Sequence, residues 1–314
     1  MSLRLRLLNA ALVAVVKPQL RHMSNPLAAR RGFERFARAF LARPSGVIVE
    51  REHPEEAPEL FWHRPAAGRP KVLIYFHGGG YIAGSPRTHH GLLASLAKVA
   101  GIAVCTPRYR LAPEHPFPAA QDDAYAAWRH LRQTGFAPRD IALAGDSAGG
   151  GLALSLVARL CAEHTPPAAV AVFSPRTDLT GSGASCRTNA GRDPFLPVER
   201  LAELAGHALA GHDPRDPLVS PLFAGFPASP PVFFAVSETE VLLDDTMRLA
   251  RRLEAEGVET ELQVSPDSPH AWPIFVGRIP EADATVAQAA TFLARHLGLA
   301  GGRLTASPER SAGS

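Results

Sequence analysis

Short unbroken apolar runs alternate along this chain with longer stretches in which apolar residues recur every three to four positions. Val72–Phe76, Ile102–Cys105, Ile141–Ala144, Ala169–Phe173 and Val232–Val236 are continuous apolar runs, and Glu261–Val264 reads as a further strand. Runs this short predict strands, and unbroken ones predict burial on both faces. Val47–Val49 and Leu60–Trp62 suit a leading pair of strands. Helical spacing runs through His89–Ala100, Ala119–Leu131, Gly150–Glu163, Asp244–Glu256 and Ala282–His296. Strand and helix in turn predict an α/β fold: a mostly parallel sheet covered by helices on both faces.

Two segments break the alternation. One is residues 1–45. The other spans about 176–228, rich in Pro and Gly, with a helical piece near Val198–Ala210. Both are expected to fold over the carboxyl ends of the strands, where α/β sheets bind ligands. Leu5, Leu8, Leu12 and Val15 fall at helical spacing and predict an amphipathic helix. Arg4 and Arg6 precede seven apolar residues, Ala10–Val16, but Lys17-Pro18 closes the run and no small-x-small cleavage site follows, which argues against a signal peptide. No stretch approaches the roughly 18 apolar residues of a membrane span. The organisation expected is a cap at 1–45, a catalytic domain at 46–299 with its insertion, and a disordered tail at 300–314.

Composition changes this picture little. The chain has 314 residues, 46% hydrophobic and 20% charged, as in ordinary globular proteins. Its three cysteines, Cys105, Cys161 and Cys186, are widely spaced with no C-x-x-C, so neither a disulfide framework nor a zinc site is suggested. Free thiols fit a cytoplasmic protein. The net charge is +3, yet residues 1–43 hold nine Lys or Arg and one acid, Glu34. No nucleic-acid-reading module accompanies that charge. The basic helix has two readings: a lid over the pocket, or contact with a membrane surface.

The chemistry starts at Gly145-Asp146-Ser147-Ala148-Gly149, a G-x-S-x-G stretch between a predicted strand and a predicted helix. Such a turn exposes the serine hydroxyl, and its glycines are needed because side chains there would clash. A glycine-rich phosphate loop is the alternative for the pentapeptide alone. His77-Gly78-Gly79-Gly80-Tyr81 follows the strand at 72–76. Without side chains, the amides of Gly78 and Gly79 can approach a carbonyl oxygen closely, and the Ala148 amide would be a third donor. One such donor is typically worth about 3 kcal/mol in the transition state. Two glycine motifs in this order, with no Lys-Ser/Thr of a P-loop, favour acyl transfer over phosphate binding.

With these motifs stand Tyr109-Arg110-Leu111-Ala112-Pro113-Glu114-His115-Pro116-Phe117-Pro118 and Ser174-Pro175-Arg176-Thr177-Asp178-Leu179. Together they resemble the hormone-sensitive-lipase-like branch of the α/β-hydrolases, the bacterial family IV esterases, over roughly residues 25–298. The resemblance implies an eight-stranded, mostly parallel sheet with a helical cap. It also implies short- to medium-chain acyl esters as substrates, and a homodimer through an edge strand near 261–264. In this fold the triad runs Ser, then acid, then His. Of thirteen histidines, His270 fits best, just beyond the strand at 261–264. The resembled family carries Asp-Pro-Leu-x-Asp after the preceding strand. This chain instead has Glu240-Val241-Leu242-Leu243-Asp244, a departure that puts Glu240 at the acid position. Glu238 and Asp244 are rivals, and Asp244 or Asp245 would also suit a helix N-cap. Asp146 and Asp178 read as loop-forming acids. Asp146 also lies beside the site, and with Tyr81 and Trp272 it is expected at the substrate pocket.

The expected activity is ester hydrolysis through an acyl-enzyme: Ser147 as nucleophile, His270 as base, Glu240 orienting it, and no metal or organic cofactor. Trp272 and the Glu240–Asp245 segment are also similar to lactone hydrolases of the same branch. A non-catalytic receptor on the same scaffold and an amidase are the remaining alternatives.

Overall fold

In the computed structural model, which describes residues 1–23 and 25–299, eight strands form one sheet. The expected tail at 300–314 lies outside the described residues. The strands are β1 (Val47–Glu52), β2 (Leu60–Pro65), β3 (Arg69–Phe76), β4 (Ile102–Pro107), β5 (Ile141–Asp146), β6 (Val170–Phe173), β7 (Val232–Ser237) and β8 (Thr260–Ser265). Their order is β1-β2-β4-β3-β5-β6-β7-β8. β1 pairs antiparallel with β2, and β2 antiparallel with β4, Trp62 opposite Cys105. All other pairings are parallel.

The apolar runs read as doubly buried strands are so because each face has its own helical layer. Val72, Ile74, Phe76, Ile141, Leu143, Val232 and Phe234 point into one core with α5 (Ala119–Gln133), α6 (Ser147–Ala162) and α9 (Leu243–Ala255). The alternate residues Leu73, Tyr75, Ala142, Ala144, Phe233 and Ala235 point into the other, with α4 (His90–Ala100) and α10 (Pro280–His296). This is the period-2 alternation of strand side chains applied to central strands with no wet face, whereas the edge strands β1 and β8 stay partly exposed.

Outside the alternation lie α1 (Leu3–Ala11), α2 (Lys17–His22), α3 (Pro26–Phe40), the short α7 (Ser185–Thr188) and α8 (Glu199–Leu209). The predicted N-terminal stripe holds for Leu5 and Leu12, which are buried, whereas Val15 is exposed. A π-helical turn at Leu12–Val16 joins α1 to α2, with the Lys17 amide donating five residues back to the Leu12 carbonyl. Its extra residue rotates the helix phase, turning Val15 outward and Lys17 inward. α3 has no counterpart in the periodicity reading. Asn25 starts it, its Oδ1 accepting from the amides of Leu27 and Ala28, with Pro26 at the first position. α3 and α8 meet over the loop after β3, where Ala29, Phe33 and Leu204 pack on Ile82, Ala83 and Ala112.

The N-cap expectation for Asp244 and Asp245 is corrected. Both lie in the first turn of α9, but their carboxylates turn away from it. Asp245 accepts from the amides of Thr177 and Asp178, and Asp244 from that of Ser185. Tertiary amides outcompete the helix's own.

Candidate active site

The turn from β5 into α6 places Ser147 at φ 53°, a left-handed conformation that costs a non-glycine residue about 1 kcal/mol or more. The neighbouring backbone holds it there: the Arg176 amide donates to the Ser147 carbonyl at 2.9 Å. A side chain on Gly149 would overlap the carbonyls of Phe76 and His77, so the elbow sits hard against β3.

His270 lies in the loop after β8, with its Nε2 2.8 Å from Ser147 Oγ. Its Nδ1 lies 2.6 Å from Glu240 Oε2. A carboxylate can only accept, so Nδ1 carries the hydrogen and Nε2 presents its lone pair to the serine hydroxyl. The other oxygen of Glu240 accepts from the Ser237 amide and the Ser174 hydroxyl, both at 2.8 Å. Ser174 Oγ in turn accepts from the Ala271 amide, tying the acid to the histidine loop. Burial acts to lower the His270 pKa, but the hydrogen bond and charge of Glu240 outweigh it and hold the imidazole above its ordinary value. Of the rival acids, Glu238 is exposed and Asp244 is engaged with Ser185; neither contacts His270.

The glycine loop after β3 corrects one expectation. The Gly78 amide is not free: it donates to Asp146 Oδ1 at 3.0 Å. Gly79 (φ 125°) and Gly80 (φ 64°) take backbone shapes that suit glycine, and no acceptor for their amides occurs among the described residues. The Ala148 amide is in the first turn of α6, where helix amides lack an internal partner. Among the described residues the amides left without a protein acceptor are therefore those of Gly79 and Gly80 and, at the start of α6, Ala148, rather than Gly78. His77 shapes this loop from within. Its ring stacks on Tyr109 at 4.3 Å and its Nδ1 meets the Gly78 carbonyl. Burial, then His89, pushes its pKa down to about 3, so it stays neutral.

Asp146 and Trp272 are not pocket residues. The Asp146 carboxylate is buried behind the loop, accepting from Tyr75 Oη at 2.8 Å and lying 3.2 Å from His89 Nε2. Burial acts to raise its pKa, but His89 and these hydrogen bonds bring it below the usual value. Trp272 is fully buried in the α4/α10 layer, its Nε1 donating to Thr285. A side chain two residues past His270 points to the opposite side of the loop. Tyr81 lines a small cleft under α8 with Phe117, Ala208 and Val219. Around the serine, Leu204 faces Gly80 and the Phe195 ring lies nearly parallel to His270, its centre 6.3 Å away. Asp178 binds its own loop and Arg248. Arg110 pairs with Asp123, and Glu114 with Arg30 of α3, whose guanidinium also holds the Ile82 and Ala112 carbonyls. Ser174 and Tyr75 carry no site signal in the sequence, since their partners lie 66 and 71 positions away. Among the described residues no cluster of three or more His, Cys, Asp or Glu could hold a metal ion.

The sequence pattern of the alpha/beta hydrolase fold family matches residues 73–274. The acetyl-hydrolase of Streptomyces hygroscopicus is 38% identical over 267 residues, 84% of this chain and 88% of that protein. The chain belongs to the hormone-sensitive-lipase-like esterases of the α/β-hydrolase family. An esterase of Acinetobacter venetianus is 34% identical over 228 residues, 72% of this chain and 75% of its own. The crystal structure of an esterase from the bacterial hormone-sensitive lipase family superposes with a TM-score of 0.88 at 36% identity, covering 95% of this chain and 99% of that one. The esterase described here is thus a serine hydrolase of carboxylesterase type. No helix among its described residues is long and apolar enough to cross a membrane.

Proposed function

We propose that this esterase hydrolyses small acyl esters through Ser147, His270 and Glu240 by way of an acyl-enzyme. The continuous chain from Ser147 Oγ through His270 to Glu240 carries the reading. His270 takes the serine proton as Oγ attacks the ester carbonyl. Glu240 stabilises the imidazolium, and the amides of Gly79, Gly80 and Ala148 receive the oxyanion. His270 then protonates the leaving alcohol and activates the water that releases the acid. Leu204 beside Gly80 and the Phe195 ring along His270 give the acyl group an apolar surface, which with the acetyl-hydrolase relative favours short chains. The test is Ser147→Ala with a p-nitrophenyl ester series from acetate to decanoate, plus fluorophosphonate labelling. We expect loss of turnover and labelling with an unchanged circular dichroism spectrum, and wild-type activity peaking at short chains. Wild-type turnover by the variant would overturn the assignment. Preference for an ε-lactone over a hexanoate ester would move the substrate class to cyclic esters.

A second proposal concerns α1. Leu3 and Leu7 are 71% and 63% exposed, and with Ala10 and Ala14 they make an outward apolar stripe flanked by exposed Arg4 and Arg6. The inward residues Leu5 and Leu12 already join the α10 layer, and Ser2 bonds Glu281. An apolar stripe edged by arginine suits an anionic bilayer surface. Co-sedimentation with phosphatidylglycerol vesicles, lost in Leu3→Glu/Leu7→Glu, is expected. Equal pelleting of that variant would refute it.

A further inference from the structure

The segment between α7 and α8 is bonded to the backbone of the loop that carries Glu240. Asn189 Nδ2 donates to the carbonyls of Glu238 and Glu240 at 2.9 and 2.8 Å. Asp193 is buried, and its carboxylate bridges two backbones. Oδ2 accepts from the amide of Val241, the residue after Glu240, at 3.1 Å. Oδ1 accepts from the amides of Phe195 and Leu196 at 2.8 and 2.9 Å. One carboxylate therefore sets both the loop after β7 that carries the acid and the residue whose ring lies along His270. The segment is held in turn by the N-terminal helix. Lys17, rotated inward by the π-helical turn and buried, donates Nζ to the carbonyls of Ala190 and Asp193.

These contacts explain why buried charge is tolerated there. A buried ammonium or carboxylate is costly unless its hydrogen-bonding capacity is met. Here every hydrogen-bond partner of the two charges is a backbone group, carbonyls for Lys17 and amides for Asp193, so each charge fixes backbone rather than pairing with another side-chain ion. We propose that Asp193 is a positioning residue of the hydrolytic site, aligning the Glu240 loop and Phe195 against His270, and that Lys17 locks it there. This rests on the Ser147–His270–Glu240 reading. The charged groups acting on His270 are Glu240 from the β7–α9 loop, Asp193 from the cap and Asp146 from the elbow, all negative, while Lys17 faces carbonyl groups. Removing the Asp193 charge thus acts on the imidazole in a direction that loss of packing alone does not dictate.

The test uses the full chain and counts active sites by fluorophosphonate titration. An unlabelled, inactive wild type would refute the underlying reading, whatever Asp193 does. Given a labelled wild type, Asp193→Asn turns an NH₂ toward one of the amides it now accepts from. It should lower kcat per titrated site about 10- to 100-fold with KM within about threefold, and move the acid limb of the kcat/KM profile to lower pH. Lys17→Met, which keeps the apolar stem, should lower kcat less, about 3- to 10-fold, and the double variant should fall short of the product of the two. Unchanged kcat and pH profile per titrated site in Asp193→Asn, with only a lower Tm, would overturn the proposal. Should that variant not fold, unchanged kcat per site in Lys17→Met would overturn it equally.

Discussion

Glu240→Gln isolates the role of the acid with the smallest change in volume. Glu240 Oε1 accepts from the Ser237 amide and the Ser174 hydroxyl, and the Ser174 oxygen is already occupied by the Ala271 amide. An NH₂ at that position would face the Ser237 N–H and leave a buried donor unmet, costing about 1–3 kcal/mol. The glutamine therefore keeps its carbonyl there and turns its NH₂ toward His270 Nδ1, 2.6 Å away in the wild type. Nδ1 must then accept, the hydrogen moves to Nε2, and the imidazole offers Ser147 a donor where a base is needed. In the chymotrypsin triad the equivalent change lowers kcat about 10⁴-fold, or about 5 kcal/mol, and the same tautomer logic predicts a loss of that order here. The assay is kcat/KM on p-nitrophenyl acetate for Glu240→Gln and Glu238→Gln, each checked by circular dichroism. Glu238 is exposed and should change turnover by less than about threefold, as surface substitutions do. Glu240→Gln within tenfold of wild type, or a larger loss in Glu238→Gln, would refute the reasoning.

Further outcomes are expected. Because Glu240 holds the His270 pKa above its ordinary value, and the base must be neutral, kcat/KM should fall as pH drops through a limb lying above about 6.5; a limb below that value would contradict the geometry. Gly78→Ala would drive a methyl into the locked Asp146 carboxylate. It should lower stability by about 1–3 kcal/mol and displace the glycine loop, with activity down at least about 100-fold; a variant as active as wild type would show that the loop yields. Burial raises the Asp245 pKa to about 7, against about 3.9 in an unfolded chain. The folded state thus holds that proton more tightly, and the stability it contributes is full below about pH 4 and lost as pH rises through about 7. Asp245→Asn cannot ionise, so its Tm should fall less than that of the wild type between pH 5 and pH 8; parallel profiles would contradict this.

The fold and the order of the chemistry were legible in one dimension. Strand runs and helical spacing are local, and a serine elbow needs glycines beside it wherever it occurs, so Ser147 and the single sheet between two helical layers are readable from the sequence, while the chain order of the fold points to His270. Three carboxylates crowd residues 238–244, and only the turn after β7 selects the one that reaches His270. Tertiary structure decided what depends on direction. The sequence offers the Gly78 amide as an oxyanion donor, but Asp146, 68 residues away, takes it. Trp272 and Asp146 sit beside the site in sequence yet point into the core, because a backbone carries neighbouring side chains to different faces. Lys17 and Asp193 carry no local signal at all, since hydrogen bonds between segments over 170 residues apart exist only once the chain has closed on itself.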